Sequence, residues 1–317
     1  MLGVILDQGS IGADISYAAL LDQLDQWQCY SNAAEDEVVE RISSASVVVT
    51  NKVYLGHEVL KQAPLLRLVC VSATGTNNID IEAAHRLGIT VSNVRGYATA
   101  SVVEHTFSLI LSLSRNLKAY QHDVAQGAWQ QSKHFCLLNH PISELSGKKL
   151  GIIGYGELGQ AVARVGTVFG MEVLIAESLR GDALKSEDRI ALDELLAQVD
   201  VLSLHCPLTD ETQGLIDKQK IDLMKPSAMI INTARGGIVD EEALCDALLS
   251  GGIAGAAVDV LEQEPPLPGS KLLSVSLPNL LVTPHIAWAS KESRQRLLKE
   301  VSLNVAAFLR GEPRNLV

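Results

Sequence analysis

Several apolar segments of this 317-residue chain end in side chains able to hold an anion and move a proton. "DVLSLHCP" ends in His205, Cys206 and Pro207, "AMIINTARGG" in Asn232, Thr233 and Arg235, "VDVLEQEPP" carries Asp259 and Glu264, and "LLVTPHIAW" delivers His285. If these segments are parallel strands, a cation, two acids and an imidazole arrive at one rim, because ligands of open α/β sheets sit outside the carboxyl ends of the strands. Arg235 precedes Gly236 and Gly237, which permit close backbone approach, and its planar fork suits a carboxylate in bidentate geometry. Glu264, held by Pro265 and Pro266, is placed to accept a hydrogen bond from His285 and fix its tautomer. A histidine–acid pair beside a cation is what general acid–base chemistry at a carbonyl or hydroxyl group requires. Each residue alone would pass for an ordinary surface or core-edge side chain; only the grouping points to chemistry.

"LGIIGYGELGQAVARVGTVFG" adds a second signal: Gly154, Gly156 and Gly159 in GxGxxG spacing, with a strand-like run before and a helical pattern after. Gly154 serves the tight turn, Gly156 lets a pyrophosphate approach the backbone, and Gly159 allows close helix–strand packing. The helix N-terminus then offers N–H groups and a positive dipole end to the diphosphate. Glu157 is expected to turn its backbone N–H toward such a ligand, and its carboxylate elsewhere. The next strand, "MEVLIAE", ends at Glu177, where an acid can bond ribose hydroxyls and repel a 2′-phosphate, favouring NAD over NADP. Ser178 and Arg180 follow at once and would soften that preference. A solvated strand-end glutamate is the plain alternative.

Two alternating series must position these groups. The first runs "GVILD", a helical spacing of Ile15, Ala18, Ala19 and Leu24, then "SVVVT", "RLVCVS", "IDIEAAHRLG" with Gly88 as a helix-ending residue, and "ITVSN". It closes near residue 97. "TASVVEHTFSLILSLSRNLKAYQHDVAQG" then predicts one long helix joining domains or subunits, striped by Val103, Phe107, Ile110, Leu111, Leu117 and Val124. The second series, from "KKLGIIGYG" to "LLVTPH", predicts six strands in a doubly wound sheet. The amphipathic "ESRQRLLKEVSLNVAAFLRG" is expected to return to the first domain.

Length and composition agree with two α/β domains, since single cores stop growing at about 250 to 300 residues. The chain is 47% hydrophobic and 20% charged, with a formal net charge of −11. That balance disfavours nucleic-acid or anionic-membrane binding through a whole-surface field, and an anionic ligand needs a local cation such as Arg235. Cys29, Cys70, Cys136, Cys206 and Cys245 show neither a CxxC pair nor metal-ligand spacing, so reduced thiols in the cytoplasm and no metal centre are expected. "MLGVILDQG" lacks a basic lead, and no stretch approaches 18 uninterrupted apolar residues; neither an export signal nor a membrane span is expected.

In their order and spacing, "GIIGYGELG", "NTARGGIVDEEAL", "VDVLEQEP" and "TPHIAW" resemble the D-isomer-specific 2-hydroxyacid dehydrogenase family. The resemblance spans nearly the whole chain, including "SATGTNNIDIEAAHRLGI" and "VVEHTFSLIL". It implies two doubly wound parallel-sheet domains: a flavodoxin-like substrate domain of residues 1–97 plus 288–317, and a Rossmann NAD domain of residues 98–287. It implies that Arg235 binds the substrate carboxylate and carbonyl, that His285 is the acid/base and that Glu264 is its partner. Ala73, Thr74 and Gly75 would grip the carboxylate, with Thr74 also near the cofactor. Glu157, Leu158, Glu177, His205, Cys206, Pro207, Thr233, Ala234, Arg235, Asp259 and the turn from His285 to Trp288 would line NAD. The family's usual homodimer through the NAD domain would account for the long helix. Glu177 stands where the family more often has Asp.

Within the family, "VTNKVYL", "FCLLNHPISELSGKKLGIIGYG" and "HIAWAS" look most like the glycerate dehydrogenases, also called hydroxypyruvate reductases. Lys52 and Trp288 would then border a small hydroxymethyl group. The implied reaction passes a hydride from NADH to C2 of a small 2-keto acid while His285 donates a proton. Other readings are a dehydrogenase for lactate or phosphoglycerate, a formate- or phosphonate-type enzyme, and an NAD(H)-responsive, corepressor-like binding protein on the same scaffold. NADP is the less favoured cofactor.

Overall fold

In the computed structural model, which describes residues 1–178 and 189–317, the chain forms two units, Met1–Ala98 with Trp288–Val317, and Thr99–Ala287. The first contains strands β1 (Leu2–Ile5), β2 (Gln26–Cys29), β3 (Val47–Thr50), β4 (Leu68–Val71) and β5 (Thr90–Ser92), all parallel in the order β2-β1-β3-β4-β5. This is the flavodoxin-like order. The continuous apolar runs are explained by burial on both faces. Val48 and Val69 face helices Val38–Ile42 and Ile81–Arg86, while Val47, Val49, Leu68 and Cys70 face Leu297, Leu298, Val301 and Val305 of helix Lys291–Leu309. The chain's last long helix thus belongs to the first unit's core.

The second unit holds β6 (Lys149–Ile153), β7 (Glu172–Ala176), β8 (Arg189–Ile190), β9 (Val201–Leu204), β10 (Met229–Asn232), β11 (Gly255–Val258) and β12 (Leu280–Val282). They form one parallel sheet, β12-β11-β10-β9-β6-β7-β8, the doubly wound Rossmann order with its switch between β6 and β9. One face is covered by Val103, Phe107 and Ile110 of helix Thr99–Ser114 and by Ala161 and Val162 of helix Glu157–Val168. Leu195, Ile221, Leu244 and Leu248 cover the other. Among the described residues no helix is long and apolar enough to cross a membrane.

Several expected elements differ. The single long helix is two, Thr99–Ser114 and Leu117–Ala125, broken where Asn116 adopts a left-handed backbone at φ 49°. Asparagine tolerates that conformation, and the break is bound from outside: Asn116 Nδ2 donates to the Pro141 carbonyl at 2.6 Å, and Ser143 N–H to the Ser114 carbonyl at 2.8 Å. Both helices lie within the second unit, so the stretch is not a connecting rod between units. The helix expected around Ile15 to Leu24 shortens to Ala18–Leu21. Among the described residues the second sheet has seven strands, not six, because two-residue β8 adds to its edge. Edge strand β2, "QWQC", lacks an apolar run because it is paired on one side only and largely exposed.

The first sheet is tied at its carboxyl end by a buried acid. Both carboxylate oxygens of Asp7, just past β1, accept from Asn51 N–H at 2.9 and 3.0 Å, and Oδ2 also accepts from Lys52 N–H at 2.6 Å. Replacing Asp7 by Ala strands these N–H groups, so Asp7→Ala is expected to cost about 2–3 kcal/mol of stability. The check is urea unfolding, read as a lower midpoint at unchanged slope.

Candidate active site

The glycine loop sits between β6 and helix Glu157–Val168, and each glycine meets a different constraint. Gly154 has φ 91°, and a Cβ on it would lie 2.5 Å from the backbone of His205 and Cys206 on the neighbouring crossing. A Cβ on Gly159 would lie 2.0 Å from the Gly154 carbonyl oxygen, so helix and strand touch there backbone to backbone. At Gly156, the helix N-cap, a Cβ would meet nothing within 4 Å. That open space lies at the positive end of a twelve-residue helix. The Glu157 carboxylate is engaged by the Thr99 hydroxyl.

Glu177, just past β7, lines a cavity of about 400 Å³ together with Gly154, Gly156, His205, Cys206 and Pro207. Arg189 of β8 lines it too, a residue the motifs did not flag because its strand is too short to show a period. Arg180 lies outside the described residues. Leu158 is half-buried on the first helical turn. Burial pushes the Cys206 thiol up to about 11, so it stays a neutral wall and not a nucleophile.

Three rim loops converge past β10, β11 and β12. Asn232 braces the first: its Oδ1 accepts from Ala234 N–H at 3.0 Å and its Nδ2 donates to the Arg235 carbonyl at 2.9 Å. Thr233, buried beside it, meets the Thr106 hydroxyl at 3.1 Å, and Arg235 Nη1 donates to the Ala234 carbonyl at 2.6 Å. Gly236 then passes so close to the second loop that a Cβ would lie 1.9 Å from the Leu261 carbonyl oxygen. Leu261 in turn donates its N–H to Glu264 Oε1 at 2.9 Å, and Glu264 Oε2 meets His285 Nδ1 at 2.6 Å. Guanidinium loop, carboxylate and imidazole are therefore linked through one backbone crossing.

His285 itself has φ 55°, a conformation that costs a non-glycine residue about 1–3 kcal/mol and needs support. Asp259 provides it. Its backbone carbonyl accepts from His285 N–H at 2.8 Å, and its carboxylate accepts from Ile286 N–H at 2.9 Å, Ala287 N–H at 2.8 Å and the Thr283 hydroxyl at 2.5 Å. Burial alone would raise this carboxyl, but the nearby His105 ring, 3.5 Å from Oδ1, and hydrogen bonds from Thr283, Ala287 and Ile286 outweigh it and hold it below the usual carboxylate range.

The other expected residues lie in the first unit. Lys52 lines a cavity of about 590 Å³ with Asp7, Ser10, Ser31 and Asn32, at the carboxyl ends of β1, β2 and β3. The Ala73–Thr74–Gly75 loop is fixed by the chain after β5: Val94 N–H donates to the Ala73 carbonyl at 3.0 Å, Asn93 Nδ2 to the Thr74 carbonyl at 2.7 Å, and the Thr74 hydroxyl to the Val94 carbonyl at 2.8 Å. Trp288 packs edge-on against Tyr97 at 6.3 Å between ring centroids.

Comparison with known proteins decides the family. Residues 107–287, more than half the chain, match the model of the D-isomer specific 2-hydroxyacid dehydrogenase, NAD binding domain. The chain belongs to this family. It is 43% identical over 314 residues to the glycerate dehydrogenase of Methylorubrum extorquens, covering 99% of this chain and 98% of that protein. It is 41% identical over 284 residues to the hydroxypyruvate reductase of Blautia hydrogenotrophica, covering 89% and 88%. A solved D-lactate dehydrogenase from Aquifex aeolicus, complexed with NAD and lactic acid, superposes with a TM-score of 0.80 at 31% identity, covering 98% and 96%. The chain is thus an NAD-dependent D-2-hydroxyacid dehydrogenase, an oxidoreductase acting on a CH–OH group. The dehydrogenase's glycine loop fits that cofactor: open space at Gly156, a helix N-terminus behind it and an acid at Glu177 suit a diphosphate followed by an unphosphorylated ribose.

His205 stands apart from the Glu264–His285 pair. Its Nε2 lies 2.9 Å from the Ser203 hydroxyl, its Nδ1 is buried, and burial drives its pKa down to about 4. A neutral imidazole in the folded state and an ionisable one in the unfolded state give stability that is fully present above about pH 6.5 and is lost as pH falls toward 4. His205→Gln is expected to flatten the fall of unfolding free energy across that window in the dehydrogenase. Denaturant titrations at several pH values check this, and an unchanged slope refutes it.

Proposed function

We propose that this dehydrogenase reduces hydroxypyruvate, and the smaller glyoxylate, with NADH, and oxidises glycerate in the reverse direction. The observation that carries the reading is the 2.6 Å pairing of His285 Nδ1 with Glu264, locked to the Arg235 loop through Gly236 and Leu261. With Nδ1 committed to the carboxylate, Nε2 is the ring atom that passes a proton to the C2 oxygen. Glu264 orients the ring and balances its cationic form. Arg235 holds the substrate carboxylate and stabilises negative charge developing on the carbonyl oxygen. The nicotinamide, when bound, supplies the hydride. We assign the 73–75 loop to the carboxylate as well, with Thr74 also near the cofactor, and Lys52 and Trp288 to the hydroxymethyl end of the substrate. Similarity to a glycerate dehydrogenase and a hydroxypyruvate reductase supports this substrate class, and the acid at Glu177 supports NADH over NADPH.

A panel of 2-keto acids assayed with both cofactors tests the reading: hydroxypyruvate and glyoxylate with NADH are expected to give the highest kcat/KM. No turnover with any keto acid would point to an NAD(H)-responsive binding protein. His285→Ala is expected to lower kcat by about 10²- to 10⁴-fold with NADH affinity kept. Arg235→Ala is expected to raise KM for the keto acid far more than Kd for NADH; equal loss of both would mark Arg235 as structural.

We further infer a homodimer through the NAD domain. Support comes from the segment after helix Leu117–Ala125, where Trp129, Phe135 (91% exposed) and Leu138 (78% exposed) present apolar surface to solvent in the single chain. Light scattering is expected to give twice the chain mass, and Phe135→Asp with Leu138→Asp to give a monomer.

A further inference from the structure

One titratable side chain in the second unit touches the rim from behind and has no part in the reading above. His105 lies on helix Thr99–Ser114, its side chain 18% exposed, with Nε2 3.0 Å from the Thr283 hydroxyl and 3.5 Å from Asp259 Oδ1. The Thr283 hydroxyl has a single proton, and its 2.5 Å contact with Asp259 Oδ1 is where that proton goes, because a carboxylate can only accept. Toward His105 the hydroxyl oxygen is therefore the acceptor, and His105 Nε2 carries the donated proton. The direction of the chain is fixed: His105 to Thr283 to Asp259.

Asp259, 1% exposed, is the group that holds the N–H groups of Ile286 and Ala287 and, through its carbonyl, that of His285. The helix carrying His105 is anchored in the core by Val103, Phe107 and Ile110, so it is a rigid support for the turn. Ser101 on the same helix donates to the Ala287 carbonyl at 2.7 Å, a second brace on that turn. Without the His105 donor, the Thr283 hydroxyl can rotate away and Asp259 loses one of the contacts that set its orientation. The turn that keeps His285 at φ 55° then has one fewer fixed point.

We propose that His105 is a positioning residue for the reaction, holding the turn from Thr283 to Ala287, and with it the His285 imidazole, through the Thr283 hydroxyl and the Asp259 carboxylate. The inference rests on the assignment of His285 as the acid/base. It predicts loss in the chemical step and not in substrate capture, because Arg235 is held on a separate loop by Asn232.

The test compares wild type, His105→Leu, His105→Gln, Thr283→Val and His285→Ala with hydroxypyruvate at saturating NADH. A displacement of about 1 Å at a reacting group costs on the order of 10²-fold, so His105→Leu is expected to lose about 10- to 100-fold in kcat with KM for the keto acid within about 3-fold. His105→Gln, whose Nε2–H can reach the same hydroxyl, is expected to recover most of that loss. If His105→Leu does not fold, Thr283→Val decides: it removes the relay and keeps the volume, and is expected to show the same kcat loss. Wild-type kcat in His105→Leu or Thr283→Val, or a His105→Gln enzyme as slow as His105→Leu, overturns the proposal. Failure of the underlying assignment has another signature, a His285→Ala enzyme that matches wild type, and the proposal then falls with it.

Discussion

A buried carboxylate is the constraint on which the reactive rim rests. An anion withdrawn from water is tolerated only when its lone pairs are occupied, and Asp259 occupies them with two backbone N–H groups and a hydroxyl from the segment that follows the next strand. The energetic demand of the acid and the conformational demand of the turn are met by the same contacts. His285 can sit in a sparsely populated backbone region because its neighbours cannot relax without uncovering a charge. The imidazole's position is thus decided by a residue 26 positions earlier in the chain.

The same device occurs in the other sheet. Asp7, just past β1, accepts the N–H groups of Asn51 and Lys52 just past β3, as Asp259 past β11 accepts those past β12. Parallel strands end with their next backbone donors pointing past the sheet, and an aspartate one strand over is short enough to collect them. Each unit so fixes the start of a rim loop. In the first unit that loop carries Lys52, in the second His285.

Glycine performs the complementary task of letting backbones cross. Gly159 against Gly154, Gly154 against His205 and Cys206, and Gly236 against Leu261 each leave no space for a Cβ. The last of these sets the Arg235 loop directly on the loop that carries Glu264, so cation and acid are related by main chain and not by flexible side chains. Gly156 differs from the others, since what would surround its Cβ is open space. Packing within the fold therefore does not demand a glycine at this helix N-terminus, where a diphosphate is proposed to approach.

Sequence by itself determined the class of the protein. Buried parallel strands must be apolar on both faces, so "SVVVT", "RLVCVS" and "AMIINTA" announced themselves, and the two-domain α/β architecture followed from their alternation with helices. The glycine spacing and strand-end residues were legible because a loop's chemistry is written in a few adjacent positions. Strand order, the break at Asn116 and the edge strands β2 and β8 were decided by tertiary structure, since pairing partners and exposed edges leave no period in the chain. So were the contacts of His105, Thr106 and Arg189, which read locally as helix or strand residues and acquire a role only through what the sheet brings beside them. The distance between Glu264 and His285 belongs to the same class: 21 residues separate them, and only the register of β11 beside β12 sets how far apart their loops emerge.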